Sequence, residues 1–391
     1  QKVVVHMRVV DLFAGCGGLS LGFQNAGFEI VGAVEFWDVA LETYRVNFKH
    51  PIYKQDLSNF SSSINLIQPL LPDMIIGGPP CQDFSHAGKR IEAERAGLTG
   101  VFAEIVAKIK PRYFVMENVD RAKDSIAYAY AKNVFKKAGY GITEMTLNAA
   151  HCGVPQKRKR FFVLGILGGD DGFATTWLNE HQTQKETTIR DYFGSNVLGF
   201  DYYYRHPRNY NRRAIYSIDE PAPTMRGVNR PVPQGYPGHP LDPHPVDNTI
   251  RALTTLERSL IQTFPAGYKW VGSKTDIEQM IGNAVPVKLA EYVATCMAQY
   301  VVEVPDYSGF ESWLHKTNYS DRVISDIISR LKRAYKIIED DPNPTYLFIL
   351  ERTDAFLNID SSVRSQIKKA VSLYIEYKFD MIARHHALKG L

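Results

Sequence analysis

Arg8-Val9-Val10-Asp11-Leu12-Phe13-Ala14-Gly15-Cys16-Gly17-Gly18-Leu19-Ser20 decides the fold. Residues 8–13 read as a strand and residues 19–26 as a helix. Glycine at 15, 17 and 18 makes the link between them a tight turn whose backbone can approach a ligand closely. The same alternation continues outward. Residues 30–34 predict a strand and 37–48 a helix, and residues 74–76, 113–116 and 161–164 predict three more strands. Strands alternating with helices indicate an α/β fold, a mostly parallel sheet with helices on both faces.

The turn at 15–18 matches neither the GxGxxG pattern of dinucleotide sites nor the GxxxxGK[ST] pattern of phosphate loops. Glu35 stands at the end of the second strand, where a carboxylate can bind both hydroxyls of a ribose. Asp56 ends a third segment, residues 53–56. An adenosine-bearing ligand without a pyrophosphate fits this set, and S-adenosylmethionine meets that description.

Gly77-Gly78-Pro79-Pro80-Cys81-Gln82-Asp83-Phe84-Ser85 follows the strand at 74–76. Each proline fixes its own φ and biases the residue before it toward extended backbone. Cys81 is therefore expected on a stiff loop at the end of a strand, where open α/β sheets place their chemistry. A cysteine there is a candidate nucleophile once its pKa is lowered, although a lone cysteine is more often a small buried apolar residue. Glu117 directly follows the strand at 113–116 and is a candidate acid beside that nucleophile. In Gln156-Lys157-Arg158-Lys159-Arg160 the strand period of two puts both arginines on one face and both lysines on the other. Phe161-Phe162-Val163 follows at once, so this segment borders the core. Residues 202–213 read Tyr-Tyr-Tyr-Arg-His-Pro-Arg-Asn-Tyr-Asn-Arg-Arg with no acid, and Arg226 and Arg230 come close behind. Arginines interleaved with aromatics and Asn are side chains that bind phosphates and base edges.

In order as well as content, these segments resemble the cytosine-C5 DNA methyltransferases of bacterial restriction–modification systems. Residues 11–20 are similar to that family's cofactor loop, Pro79-Pro80-Cys81-Gln82 to its nucleophile motif, and Glu117-Asn118-Val119 to its acid motif. Gln156-x-Arg158-x-Arg160 is similar to its arginine motif. Asp219-Glu-Pro-Ala-Pro-Thr224-Met225 resembles its recognition core. Arg251-Ala-Leu-Thr-Thr with Glu257 and Gln262-Thr-Phe-Pro265 resembles the segment after the recognition region, and Gly282-Asn283-Ala284-Val285-Pro286 the closing cofactor motif. The resemblance covers residues 8–300. Leu260 stands where the family commonly has arginine, which leaves a structural ion pair open at that place.

The resemblance implies a Rossmann-like S-adenosylmethionine-dependent methyltransferase sheet with a smaller, loop-rich recognition domain and a helical C-terminal extension. It implies that Cys81 attacks C6 of a flipped-out cytosine, that Glu117 protonates N3, that Arg160 holds O2, and that Arg158 supports the loop and the cytosine. C5 then takes the methyl group, with S-adenosylhomocysteine as product and no metal involved. Phe13 should stack on the adenine, Glu35 bind the ribose and Asp56 accept from the adenine amino group. Gly15, Gly17, Gly18, Leu19, Phe36, Pro80, Leu98, Asn283 and Ala284 complete the expected cofactor pocket. Double-stranded DNA is the implied partner, with Ser85, Arg205, Arg208, Arg212, Arg213, Thr224, Arg226 and Arg230 as expected contacts. Arg226 and Arg230 flank Thr224-Met225 and are the candidates for base edges.

With 391 residues the chain is long enough for two or three domains. Composition changes after residue 167, and residues 170–250 are rich in Gly, Pro, Tyr and Arg. The expected organisation is a catalytic and cofactor-binding domain over 1–169, completed by 281–305, a target-recognition domain over 170–280, and a helical extension over 306–391. In that extension Val323, Ile324, Ile327, Ile328, Leu331 and Tyr335 fall at helical spacing, as do Val363, Ile367, Ala370, Val371 and Tyr374. Such helices fit a cap on the catalytic domain, or a surface for a partner or second copy on an otherwise monomeric enzyme. Cys16, Cys81, Cys152 and Cys296 form no CxxC pair, which argues against a structural zinc site and a disulfide framework. The net charge of +4 is compatible with nucleic acid without requiring it. No signal peptide and no apolar run of the roughly 18–20 residues that span a bilayer is seen, so a cytoplasmic, nucleoid-associated location is expected. Within the family the competing reading is a tRNA cytosine methyltransferase, whose Cys-Phe-Thr segment this chain lacks. From another class it is a catalytically silent DNA-binding relative, disfavoured because Cys81, Glu117, Arg158 and Arg160 are all present.

Overall fold

The computed structural model describes residues 5–80, 92–194, 198–207, 209, 211–301, 307–317, 319–338 and 342–388. The chain divides into two compact units, residues 1–298 and residues 299–391. The first unit begins with β1 (Val5–Leu12), α1 (Gly18–Asn25), β2 (Phe28–Glu35), α2 (Asp38–Asn47), β3 (Ile52–Lys54), α3 (Phe60–Ile67) and β4 (Met74–Gly77). It continues with α4 (Glu92–Ile109), β5 (Tyr113–Val119), α5 (Ile126–Lys137), β6 (Tyr140–Asn148), β7 (Gln156–Lys157) and β8 (Lys159–Leu167).

Seven of these strands form one sheet in the order β3-β2-β1-β4-β5-β8-β6. β1 runs parallel to both β2 and β4, β2 to β3, and β4 to β5. β8 is antiparallel to both of its neighbours, β5 and β6. From β1 the chain winds to one edge, and from β4 toward the other. The crevice between the C-terminal ends of β1 and β4 is therefore a topological switch point, where α/β sheets bind their ligands. β4 is buried throughout and β5 is buried through Asn118, because helices cover both faces and leave no solvent side. On one face Val10, Leu12, Ile75, Phe114 and Met116 pack with Ile64 and Ile67 of α3, Phe102 of α4 and Phe135 of α5.

The expected α/β sheet is thus present, with two differences. β6 was not read from the sequence, because Thr143, Glu144 and Thr146 interrupt its apolar residues. It is an edge strand, and edges carry such polar residues. β5 also runs past Met116. Its parallel pairing with β4 stops at Gly77↔Met116, but its antiparallel pairing with β8 continues to Val119↔Arg160. Glu117 is therefore held inside a strand rather than in the loop after one.

Beyond β8 come α6 (Thr175–Glu180), α7 (Ile189–Phe193), β9 (Tyr202–Tyr204), β10 (Ile215–Ser217) and β11 (Ala222–Pro223). β9 pairs antiparallel with β10, and β11 pairs parallel with β7. Two small cores hold this region, one around Ile189, Tyr203, Ile218, Met225 and Leu253, the other around Tyr204, Ile215, Tyr236 and Ile250. Tyr203 and Tyr204 are thus core side chains, not part of an exposed aromatic surface. α8 (Thr255–Ile261), α9 (Lys274–Asn283) and α10 (Val287–Ala298) complete the unit. α8 and α9 each begin with a capping box, Thr254 with Glu257 and Ser273 with Asp276, which satisfies orphan N–H groups of the first turn.

The second unit contains α11 (Ser308–Lys316), α12 (Asp321–Ile337), α13 (Pro344–Leu350), α14 (Asp354–Leu357) and α15 (Ser361–Leu388). Its own core joins Phe310 and Leu314 with Ile324, Ile327 and Leu331 of α12 and Ile367 and Val371 of α15. Among the described residues no helix is long and apolar enough to cross a membrane.

Candidate active site

Strand register sets the floor of the site. Leu12 pairs with Val34 and with Gly77, and Gly77 pairs with Met116. Phe13, Glu35, Gly78 and Glu117 therefore lie one step past a common line, at the C-terminal edge of the sheet. A cavity of about 610 Å³ opens there.

Of the expected cofactor residues, Phe13, Gly15, Gly18 and Leu19 line this cavity from the first loop, and Glu35, Phe36 and Asp56 from the ends of β2 and β3. Pro80, Leu98, Asn283 and Ala284 close it from the other side. Gly17 does not line it but makes the turn possible, at φ 93° and with no room for a Cβ beside the Phe48 ring. Phe13 itself is held at φ 57°, a strained backbone for a residue with a Cβ and of the kind that marks functional sites. Backbone donors aim the Glu35 carboxylate. Oε2 accepts from Gly15 N–H at 2.7 Å, and Oε1 accepts from Phe36 and Trp37 N–H at 2.7 Å each. Oε2 keeps a lone-pair site for a ligand hydroxyl. Asp56 is fixed through Oδ1, which accepts from the Ser58 N–H at 2.9 Å and hydroxyl at 2.7 Å.

Glu117 and Arg160 line the same cavity. Glu117 pairs with Phe162 and Val119 with Arg160, so Glu117 and Arg160 are diagonal neighbours on one face. Arg160 Nε lies 2.9 Å from Glu117 Oε1. Burial holds the Glu117 carboxyl above its ordinary pKa, with Arg160 and then Arg158 pulling against that rise. Asn118, next on the strand, donates from Nδ2 to the Pro79 carbonyl at 3.2 Å. The strand that carries the acid thereby also ties down the segment leading to residue 81. Cys81 and Ser85 lie outside the described residues. Cys16, Cys152 and Cys296 are buried, and burial pushes each thiol up to about 12, so none of the three supplies a thiolate near neutral pH.

Burial alternates along residues 156–160 as the strand period requires, with Gln156 and Arg158 inside and the lysines outside. Arg158 goes further in than the sequence reading placed it. It is wholly buried and does not line the cavity. Nη1 donates to Met225 O at 2.9 Å, and Nη2 to Gly282 O at 2.8 Å and Ala284 O at 3.1 Å. It acts on backbone, clamping the segment at 225 to the loop at 282–284.

A second concavity, of about 460 Å³, is lined by Arg205, Arg212, Arg213, Thr224 and Arg226 together with Lys157. Arg205 Nη2 donates to Thr224 O at 2.8 Å. Arg213 pairs with Glu220 and lies over the Tyr216 ring, 4.3 Å from its centroid. Arg226 donates to His206 O. Arg212 is exposed, and Arg230 is exposed but outside this lining. Arg208 lies outside the described residues. At the helix where Leu260 left an ion pair open, Arg258 forms a buried one with Glu278 of α9.

Two features had no role in the sequence reading. Gln156 and Gln262, quoted there only as motif members, bond to each other in the interior. Asp11 ends a buried chain of hydroxyls. Ser20 donates to Asp11 Oδ2 at 2.6 Å, Tyr44 donates to Ser20 Oγ at 2.6 Å, and Tyr44 Oη meets His50 Nε2 at 2.6 Å. Burial pushes Asp11 up to about 7 and His50 down to about 4. The one acid in β1, set among Val9, Val10 and Leu12, was the available signal for Asp11. Among the described residues, no group of three His, Cys, Asp or Glu side chains is placed to hold a metal ion.

A family model of C-5 cytosine-specific DNA methylases matches residues 7–299. The type II methyltransferase M.HindV of Haemophilus influenzae is 54% identical over 299 residues, covering 76% of this chain and 98% of that protein. The type II methyltransferase M.HgiDI of Herpetosiphon aurantiacus is 52% identical over 296 residues, covering 75% and 95%. Among solved structures, the S. pombe Dnmt2 methyltransferase superposes with a TM-score of 0.55 at 18% identity, over 76% of this chain and 99% of that one. The Entamoeba histolytica methyltransferase EhMeth gives 0.54 at 18% identity, with the same coverage. At such identities the two structures speak for the fold alone.

Proposed function

The chain belongs to the C-5 cytosine-specific DNA methylases, and we propose that it methylates C5 of a cytosine flipped out of duplex DNA through a covalent bond to Cys81. The observation that carries this reading is the shared cavity. The Glu117–Arg160 pair and, Gly17 apart, the residues expected around S-adenosylmethionine face one space at the switch point of the sheet. C6 of cytosine resists attack until charge on the ring is neutralised. In this reading the Cys81 thiolate adds to C6 and forms the S–C6 bond, while Glu117 delivers a proton to N3. The raised pKa of Glu117 keeps a proton available for that transfer. Arg160 holds O2 and keeps the acid oriented, a fixed charge that need not reorganise during reaction. After C5 has been methylated, loss of its proton to a base and cleavage of the S–C6 bond regenerate the thiolate, and the N3 proton returns to Glu117.

S-adenosylmethionine fits the donor set. Phe13 offers a ring for the adenine, Glu35 an acceptor for the ribose and Asp56 an acceptor for the amino group, with Asn283 and Ala284 closing the wall. When bound, it supplies the electrophilic methyl group. Residues 170–280 are proposed as the recognition domain, presenting Arg205, Arg212, Arg213, Thr224, Arg226 and Arg230 to DNA. Relatives named type II methyltransferases support protection of host DNA in a restriction–modification system, in the cytoplasm beside the nucleoid. Duplex DNA is favoured over tRNA by the arginine-lined concavity next to the recognition core.

Transfer of tritium from labelled S-adenosylmethionine to DNA but not to tRNA is the expected result, and bisulfite sequencing of plasmid from an expressing host maps the site and the carbon. Cys81→Ser should abolish transfer while DNA binding persists. A target carrying 5-fluorocytosine should trap a covalent adduct, since the fluorine cannot leave as a cation. Wild-type turnover by Cys81→Ser, or an adduct peptide that excludes residue 81, overturns the mechanism.

A further inference from the structure

Two buried glutamines join the recognition core to the cofactor loop, and the chemistry above uses neither. Gln156 and Gln262 are both wholly buried. Gln262 Nε2 lies 2.5 Å from Ile281 O and 3.1 Å from Ala284 O. Two carbonyls demand a donor, so this end is the amide NH2. Gln262 Oε1 then faces Gln156 and accepts from its Nε2 at 2.7 Å. Gln156 Oε1 is left toward Met225, whose N–H it accepts at 2.9 Å. Backbone groups of fixed polarity at both ends thus orient every amide atom between them.

Arg158 runs beside this relay, from Met225 O to Gly282 O and Ala284 O. Both backbone polar groups of Met225 are therefore held by side chains of residues 156–158, and both connections end on residues 281–284. Backbone packing closes the same junction, since a Cβ on Gly282 would run into Gly227 N and the Arg226 carbonyl carbon. In a buried network a half-made set of hydrogen bonds is costly. The two ends must move together or not at all.

We infer that Gln262 is a positioning residue that carries coupling between the cofactor cavity and the DNA-facing segment. Gly282, Asn283 and Ala284 line the cofactor cavity, while Thr224 and Arg226 line the basic concavity. Displacement of the loop on filling the cavity passes through Gln262 and Gln156 to residues 224–226. By linkage, the factor that bound cofactor adds to DNA affinity is the factor that DNA adds to cofactor affinity. The inference rests on the reading of residues 224–226 as DNA-facing.

The test uses the full chain, S-adenosylhomocysteine as the inert probe, and a duplex carrying the mapped target. Calorimetry gives the probe's affinity with and without duplex, and the ratio is the coupling. In the wild type this ratio should fall within about 5–150, the usual range for coupled sites. Gln262→Met should leave each single-ligand affinity close to wild type and lower the ratio severalfold, with the remainder carried by the parallel Arg158 clamp. Gln156→Met should do the same, and the double variant should go no further, because both act on one relay. Gln156→Met leaves Gln262 on its two carbonyls and carries the test if Gln262→Met fails to fold. A ratio unchanged in either folded variant overturns the inference, and so does a wild-type ratio of one. Failure of the DNA-facing reading shows separately, as an Arg226→Ala variant with unaltered discrimination between target and mismatched duplexes.

Discussion

In the proposed mechanism Glu117 has to stay protonated enough to give up a proton and yet remain beside a cation. Burial and Arg160 push its carboxyl in opposite directions, and burial wins. Glu117→Gln keeps the shape and a hydrogen-bond donor but cannot transfer a proton. Single-turnover methyl transfer should therefore fall by about 10²–10⁴-fold, the usual worth of a positioned acid, with cofactor affinity little changed. The wild-type rate should decline as pH rises through the raised pKa, because the acid form is then lost. A rate for Glu117→Gln equal to wild type would remove Glu117 from the chemistry. Asp11 is a second buried acid, with pKa raised to about 7 and one carboxylate oxygen, Oδ1, without a hydrogen-bond partner among the described residues. The folded state binds its proton more tightly than the unfolded chain does. Its stabilising contribution is thus fully present below about pH 4 and is lost as pH rises toward 7. That loss is on the order of 4 kcal/mol for a shift of this size. Asp11→Asn should flatten the fall in stability across that window, as denaturant melts at several pH values will read. An unchanged slope would show that Asp11 is ionised throughout.

At the scale of elements, the closing loop is positioned by helix ends and by one buried ion pair. Arg258 of α8 and Glu278 of α9 are almost completely buried against each other, and Glu278 Oε1 also accepts from Thr255 Oγ1 at 2.8 Å and Asn229 Nδ2 at 3.1 Å. Removing one member strands the other charge away from water. Arg258→Met should cost about 3–5 kcal/mol, whereas Arg258→Met combined with Glu278→Met should cost much less, because no lone charge remains. Equilibrium unfolding of the two single variants and the double variant decides this. A double variant as unstable as the sum of its singles would mean that the pair is worth little by itself. α9 leads directly into residues 283–285, so the weaker variants should also lose affinity for S-adenosylhomocysteine.

For the whole molecule, residues 1–298 and 299–391 each have a hydrophobic core of their own. The family match ends at residue 299, and a curated relative that matches along 98% of its own length does so within 299 residues of this chain. A chain ending at Ala298 should therefore keep its turnover on mapped target DNA. Its thermal melt should lose one transition of the full-length profile, since separate cores unfold as separate cooperative units. A truncated protein that folds but does not methylate would place residues 299–391 within the catalytic machinery.

Glycines at 15, 17 and 18 between a strand and a helix, with apolar runs recurring down the chain, determined the α/β sheet by themselves. Periodicity and turn chemistry are local properties, and they survive in one dimension. The positions of Phe13, Glu35, Asp56 and Asn283 around one cavity were legible through resemblance to family motifs, since each stands at a strand or helix end that the sequence marks. What the sequence could not show depended on partners distant along the chain. Glu117 belongs to a strand because β8 pairs with it from 45 residues on in the register Glu117↔Phe162. Arg158 is a backbone clamp because Met225 and Gly282 come to it. Tyr203 and Tyr204, placed among arginines in the sequence, are buried because β9 pairs with β10 and small cores close over both rings. The Gln156–Gln262 relay spans 106 residues. An amide in the sequence carries no sign of burial, and only the packed structure removes water from it and obliges it to find protein partners.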